Sequence, residues 1–395
     1  MRPTLRILMV SPQFRPLVGG YERSAERLAL ALCERGHRVT VVAERREAAW
    51  PRSESIGAVE LIRLRCIPRP RWHMLSAGLS LLAFLLLHGW RFDVVHVHQA
   101  GWTAALCVVF GRLSGRPVVL KLAGSGPEGS LAVLARARPA LLLASLHRRV
   151  DALIATSSRM AQEAEQLGIP AERVERIGNP VDTGRFRPLE PEPRDRLRAE
   201  LGLAGITVVL FTGRLSPEKN LAALLDAWAQ LGPPANAVLA LAGDGPERSA
   251  VEARAAGLGA SVRCLGALAD PLAWYQAADL FVLPSLYEGL SNSLLEAIAC
   301  GLPVVSTPVS GSEDVLGEAD VGRLAGGFDA SALAAGLAPL LQDAARRSRC
   351  GAAAREHALA RFSQERVTEQ VEALYRALCT GSRTRAGSHT PIDRA

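Results

Sequence analysis

The chain has 395 residues, 49% of them hydrophobic and 22% charged; it is globular in composition and too long for one ordinary core, so two domains are expected. Its net charge of +7 is uneven: residues 1–185 carry 26 basic and 15 acidic side chains, whereas residues 186–379 carry 17 and 23. A basic front half points to an anionic partner such as a membrane surface or a phosphorylated lipid, and the lack of a recognisable module or aromatic-interleaved basic patch argues against nucleic acid.

Leu5 to Val10 reads as a strand, followed by a loop ending in Gly19-Gly20 and a helix with Ala25, Leu28, Ala29 and Leu32 on one face. Gly36 stops that helix and Val39 to Ala43 is the next strand. This order is a βαβ unit, which implies a parallel sheet with ligands at the carboxyl ends of its strands, beside Gly19 and Gly20. Val59 to Leu64 is a further strand. Met74 to Trp90 is almost free of charge, edged by Arg69, Arg71 and Arg91; it is short for a membrane span, so a buried helix is its first reading and a membrane-contacting helix its second. In the strand Val94 to His98, His96 and His98 share one face. Two histidines without a third ligand make a poor metal site, so they are read as lining a cleft. Pro117 to Leu122 leads into the flexible turn Ala123 to Gly126, and Ser157 and Ser158 cap a helix from Met160 to Leu167.

The Pro- and charge-rich stretch Arg187 to Arg198 is read as the interdomain linker. A second set of strands and helices follows: Thr207 to Thr212, Leu221 to Leu231, Val238 to Leu241 and Leu280 to Leu283. Residues 344–359 and 363–378 are helical, and the polar residues 380–395 are expected to be disordered. The seven cysteines form no C-x-x-C pair, and no cleavage site follows the first apolar run. Reduced thiols in a cytoplasm are therefore expected.

Two stretches carry the chemistry. In Leu283 to Pro308, the serines and Asn292 are good helix caps, Leu294, Leu295 and Ile298 form an apolar stripe, and Gly301 and Pro303 end the helix. Glu288 and Glu296 flank the turn, and a helix N-terminus is a natural anion seat. Ser293 and Glu296 also fit a capping box, so Glu296 has two readings. Thr207 to Thr212 ends in Gly213-Arg214, and Ser216-Pro217 opens the next helix near Lys219. The chain has two lysines, Lys121 and Lys219. A lysine at a helix N-terminus opposes the dipole unless an anion sits between them, so Arg214 and Lys219 read as a diphosphate clamp. Gly243-Asp244-Gly245 begins a dinucleotide fingerprint, but Arg248 stands where the third glycine belongs.

GRLSPEKN (Gly213 to Asn220), LAGDGPE (Leu241 to Glu247), the run Ala278 to Thr307 and GNPVDTGRF (Gly178 to Phe186) together resemble the family-4 retaining glycosyltransferases. The resemblance runs from about Leu5 to Leu378. It implies the GT-B fold: two Rossmann-like α/β domains whose parallel sheets face a central cleft. Residues 1–185 would bind the acceptor, with helix 363–378 packing back on them, and residues 186–362 would bind a nucleoside-diphosphate sugar. By the same resemblance Arg214 and Lys219 hold the diphosphate, backbone groups from Gly289 through Leu290, Ser291 and Asn292 to Leu294 assist beside Gly213, Glu296 binds ribose and Glu288 the transferred sugar. Gly19 and Gly20 would close over the phosphates. No cofactor and no metal are implied, since the cations serve.

Many relatives carry a His-Gly or His-Thr pair near residue 123, and this chain has none there. His98, Lys121 and Ser125 are the acceptor-side candidates. The expected activity is transfer to a glycan or lipid-linked acceptor in cell-surface polysaccharide or glycolipid synthesis. The expected place is the cytoplasm, either free or peripheral at the inner face of the membrane, where Arg63, Arg65, Arg69 and Arg71 would meet anionic headgroups. A non-catalytic sugar-nucleotide sensor and a nucleotide-sugar epimerase are the rival readings.

Overall fold

The computed structural model describes residues 3–16, 19–122, 124, 129, 132, 134, 136, 139–232 and 234–386. The chain divides into two units, one of Met1–Pro180 with Gln364–Ala395, the other of Val181–Ser363.

Unit 1 runs β1 (Arg6–Val10), α1 (Gly20–Glu34), β2 (Arg38–Arg45), β3 (Ser53–Ile56), β4 (Val59–Arg65), α2 (Pro70–His88), β5 (Val94–His98), α3 (Trp102–Ser114), β6 (Val118–Lys121), α4 (Ala140–His147), β7 (Ala152–Ala155), α5 (Ser158–Gln166) and β8 (Val174–Arg176). The strands lie in the order β3-β4-β2-β1-β5-β6-β7-β8, parallel except for the β3–β4 hairpin. Both faces of this sheet are covered, so its central strands are continuously apolar. Leu8, Val10, Val95 and Val97 face the layer with α2 and α3, while Ile7, Met9 and Val94 face α1. Strand order reverses between β1 and β5, which opens a crevice at their carboxyl ends.

Unit 2 runs α6 (Pro191–Glu200), β9 (Thr207–Thr212), α7 (Leu221–Leu231), β10 (Ala237–Ala242), α8 (Arg248–Gly257), β11 (Val262–Gly266), α9 (Leu272–Ala277), β12 (Leu280–Leu283), α10 (Asn292–Ala299), β13 (Val304–Ser306), α11 (Ser310–Glu318), β14 (Gly322–Leu324), α12 (Ala330–Gln342) and α13 (Ala344–Arg361). Its strands are all parallel, in the order β11-β10-β9-β12-β13-β14. That is the doubly wound order, with its switch point between β9 and β12. The final helix, α14 (Gln364–Ala386), returns to unit 1, where Val367, Val371 and Tyr375 are buried beside α1.

Four expectations need correction. Arg187 to Arg198 is not a linker: Pro191 occupies the first turn of α6, and Arg194 and Arg198 both pair with Asp279, which holds that helix on unit 2. The chain leaves unit 1 earlier, after Pro180. Residues 380–386, expected in a disordered tail, continue α14; residues 387–395 lie outside the described residues. Met74 to Trp90 is not a buried helix, since 22% of its apolar window is buried. Arg63 is buried instead, paired with Glu54 and donating to the carbonyls of Pro51 and Arg15, so it faces no headgroup.

Candidate functional site

The loops that follow β9, β10, β12 and β13 gather at one end of the unit 2 sheet. After β9 the chain passes Gly213 and Arg214, and its backbone abuts the β10 loop: Gly213 N–H donates to Ala242 O at 3.0 Å and Leu215 N–H to Asp244 O at 2.9 Å. A Cβ on Gly243 would stand 1.8 Å from Gly213 O, and one on Gly245 2.3 Å from Leu215 O. Those glycines exist so that two loops can touch. Arg248, in the place of a third glycine, forms exposed ion pairs with Asp244 and Glu252.

Pro217–Lys219 forms a single 3-10 turn, Asn220 adopts a left-handed conformation (φ 53°), and α7 begins at Leu221. Leu286 N–H, on the β12 loop, donates to Glu218 O at 2.8 Å. This bond brings the loops on either side of the switch point together, and Lys219 Nζ bonds Glu288 Oε2 across them. Both side chains are mostly buried, at 15% and 18% exposure. Arg214 is exposed on the same loop.

Ser291 caps α10 by accepting from Leu294 N–H at 3.5 Å, with Ser293 Oγ 2.9 Å from Ser291 Oγ. The cap is therefore two residues earlier than a Ser293–Glu296 capping box requires. Glu296 falls in the second turn, buried at 4% exposure beside the Tyr275 hydroxyl, which also bonds Thr212 Oγ1. Burial, and then the Glu296 carboxylate, push the Tyr275 hydroxyl well above the usual phenol range, which keeps it a proton donor. Leu290 and Leu294 point into the core, so only their backbones are available to a ligand. Gly289 O accepts from Gly311 N–H at 2.9 Å, seating the first turn of α11 against this loop. Thr307 Oγ1 donates to Leu283 O and Ser285 O, fixing the end of β12. The Ser285 hydroxyl is buried with no hydrogen-bond partner among the described residues.

Gly213, Lys219, Glu288, Gly289, Ser291, Asn292 and Glu296 thus belong to one set of adjoining loops and helix starts. Thr212, Tyr275, Ser285, Thr307 and Gly311 belong to it too and were missed. Only Thr212 and Thr307, small hydroxyl residues at strand ends, left a trace in the sequence pattern.

In unit 1, Gly19 is the N-cap of α1, and a Cβ on it would stand 2.2 Å from the Glu22 carboxylate, which folds back over it. Burial raises the Glu22 carboxyl above its ordinary value. Gly20 opens the helix. Farther along α1, Ser24 accepts from Lys121 Nζ at 3.2 Å and donates to Asn179 Oδ1 at 3.0 Å. Burial brings the Lys121 ammonium down to about 8. His98, register partner of Lys121, is buried at 3% exposure; burial, then the Lys121 charge, lower it to about 3, so the ring is neutral. Its ring stacks on His96 at 4.4 Å, and His96 Nδ1 meets the Tyr375 hydroxyl. His98 and Lys121 are therefore neighbours, while Ser125 lies outside the described residues.

The family model described as glycosyl transferases group 1 matches residues 206–343, and that of a glycosyl transferase 4-like domain matches residues 19–180. The chain is 30% identical to the 2-deoxystreptamine N-acetyl-D-glucosaminyltransferase of Streptomyces fradiae, over 93% of this chain and 96% of that one. It is 26% identical to a GDP-mannose-dependent monoacylated alpha-(1-6)-phosphatidylinositol monomannoside mannosyltransferase of Corynebacterium glutamicum, over 94% and 98%. Its fold matches that of Anabaena HepE, crystallised in complex with UDP, with a TM-score of 0.77 at 23% identity over 94% of this chain and 100% of that one.

Proposed function

Because the chain belongs to the group 1 glycosyl transferases, we propose that it moves a sugar, with retained anomeric configuration, from a nucleoside-diphosphate sugar to a glycan or lipid-linked acceptor. The observation that carries this is the Lys219–Glu288 pair, held between the β9 and β12 loops at the switch point of unit 2, beside the capped start of α10. Ligands of doubly wound sheets bind at that crevice, and a helix N-terminus favours phosphate.

In this reading the diphosphate displaces the Glu288 carboxylate from Lys219 and is held by Lys219 and Arg214. Negative charge grows on the departing nucleoside diphosphate as the glycosidic bond breaks, and preorganised cations stabilise it most in the transition state. Glu288, released, turns to hydroxyls of the transferred sugar. Glu296, oriented by Tyr275, accepts from the ribose. No metal enters, because Lys219 and Arg214 neutralise the leaving group. Lys121 and His98 of unit 1 serve the acceptor. The GDP-mannose dependence in the Corynebacterium relative's name and the UDP complex of HepE support a nucleotide-sugar donor, and the phosphatidylinositol mannoside in the same name supports a lipid-linked acceptor.

A thermal-shift screen against UDP-, GDP- and ADP-sugars tests the donor. A ligand at about 100 times its Kd adds about 2.7 kcal/mol of stability. Product analysis then separates the alternatives: a glycoside supports the reading, whereas a free epimerised sugar, or binding without turnover across an acceptor panel, overturns it. The anomeric coupling constant of the product, read by NMR, tests retention.

A further inference from the structure

Helix α2 is apolar on all sides, yet it is not enclosed. Its inner side is fixed in the core of unit 1 by Leu81, Phe84 and Leu85. Its outer side exposes Trp72, Leu75, Leu79, Leu86 and Leu87, and Trp90 follows in the next turn. The spacing of 72, 75, 79, 86 and 90 keeps these residues on one stripe, about 27 Å long at 1.5 Å per residue. Leu87 is 72% exposed. The adjoining helices extend the surface: α3 packs on α2 and exposes Leu113, and α4 packs on α3 and exposes Leu141 at 84%. Isolated exposed leucines need no explanation, but a stripe of large exposed apolar side chains on α2, joined by others on the two helices packed in series beside it, marks an interaction site.

The charge around it identifies the partner. Between Leu61 and Val150 the sequence carries twelve basic residues and two acidic ones, Asp93 and Glu128. None of α2, α3 and α4 contains an acidic residue. Arg69 and Arg91 are exposed at the two ends of α2, Arg112 on α3, and Arg148 and Arg149 just after α4. Arg112 donates to Arg149 O at 2.6 Å and Arg116 to Trp90 O at 3.2 Å, so the basic rim is tied to the apolar surface.

We propose that this face of unit 1 docks on an anionic lipid bilayer, with α2 lying in the plane of the interface, its leucines and tryptophans at the headgroup–acyl boundary and its arginines on the phosphates. The helix is long and apolar enough to cross a membrane, but crossing would pull Phe84 and Leu85 out of the core. A second copy of the chain fits poorly, because a symmetric contact would bring two arginine rims together with no acid to pair them. The proposal stands whether or not the transferase reading holds.

The test is co-sedimentation of the full chain with vesicles of phosphatidylcholine alone and of phosphatidylcholine mixed with phosphatidylglycerol, at low and high salt. Each engaged arginine is expected to favour the anionic vesicle about fivefold, an advantage that salt removes. Leu79→Glu and Leu87→Glu should each weaken partitioning about tenfold or more with unchanged Tm, because both positions are exposed. Brominated lipid should quench tryptophan fluorescence in the unmodified chain. Equal binding to both vesicles, or binding to neither, overturns the proposal. So does a concentration-dependent dimer that Leu79→Glu abolishes, which would make this face a contact between copies.

Discussion

Lys219→Ala separates a catalytic cation from a structural one. Lys219 is bonded to Glu288, and both side chains retain some solvent contact. A pair so placed contributes about 1 kcal/mol or less to stability; in a unit of this size that is about 2–4 °C in Tm. Against a leaving diphosphate the same ammonium acts on developing charge, where loss of one preorganised donor costs about 10²–10³ in kcat, or about 2.7–4 kcal/mol. The two quantities differ enough to be read apart in one variant. The assay pairs initial rates at saturating donor with a melting curve and a calorimetric UDP titration. The expected result is a folded protein, slowed by about two to three orders of magnitude, with a small change in Tm. Glu288→Gln supplies the control: it releases Lys219 from its ion pair, so UDP affinity should hold or rise while transfer falls. Near-normal turnover of Lys219→Ala refutes the reasoning. A fall in Tm of about 10 °C would make Lys219 structural instead, because it exceeds anything a partly exposed pair supplies.

Three further outcomes are expected. Wild-type transfer should persist after chelation with EDTA, as measured by initial rates before and after treatment, because the cations are side chains. Gly243→Ala should destabilise unit 2 by about 1–3 kcal/mol and weaken UDP binding, measured by urea melts and calorimetry, because its Cβ would stand 1.8 Å from Gly213 O. Burial pushes the Glu372 carboxyl upward, but hydrogen bonds from Arg35 and Arg376 outweigh it and hold the group at about 2, against 4.5 ordinarily. The unfolded chain therefore binds the proton more readily, so the contribution of Glu372 is complete above about pH 4.5 and is lost as pH falls toward about 2. Urea midpoints should show that loss in wild type and a flatter profile in Glu372→Gln.

What could be read from the sequence depended on whether the determining contact was local. β9 and α7 were legible end to end because an apolar run, Ser216-Pro217 and Gly232 mark them within a few residues. The same holds for the Ser–Asn–Ser turn before α10. Strand β3, Ser-Glu-Ser-Ile, was not legible: it is a polar edge, and its register comes from pairing with β4. The α6 region looked like a linker because prolines and charges crowd it, yet the residue that docks it, Asp279, lies about eighty positions away in the chain. The two readings of Glu296 could not be separated for a similar reason, since Tyr275 approaches it from another helix. Helix α2 failed differently. A helix apolar all round has no periodicity to tell its inner face from its outer one, and only the packing of Leu81, Phe84 and Leu85 decides it.

The C-terminal helix links these long-range contacts to the residues proposed for the acceptor. Tyr375 arrives 279 residues after His96 and bonds its Nδ1. Arg35 reaches across to Glu372 at 2.6 Å, and Arg376 to the Pro3 carbonyl at 2.9 Å, so α14 is held on unit 1 by polar contacts as well as by Val367 and Val371. With Tyr375 in place, His96 has a fixed ring orientation, and burial keeps it neutral. His98 stacks on that ring and stands beside Lys121, whose ammonium rests on Ser24 of α1. A positive charge on either histidine would face Lys121 in a site with little water to screen it, so burial and the Lys121 charge together keep both rings neutral. The last helix therefore does more than close the core: it fixes one ring of a stacked pair whose other ring borders the lysine proposed for the acceptor.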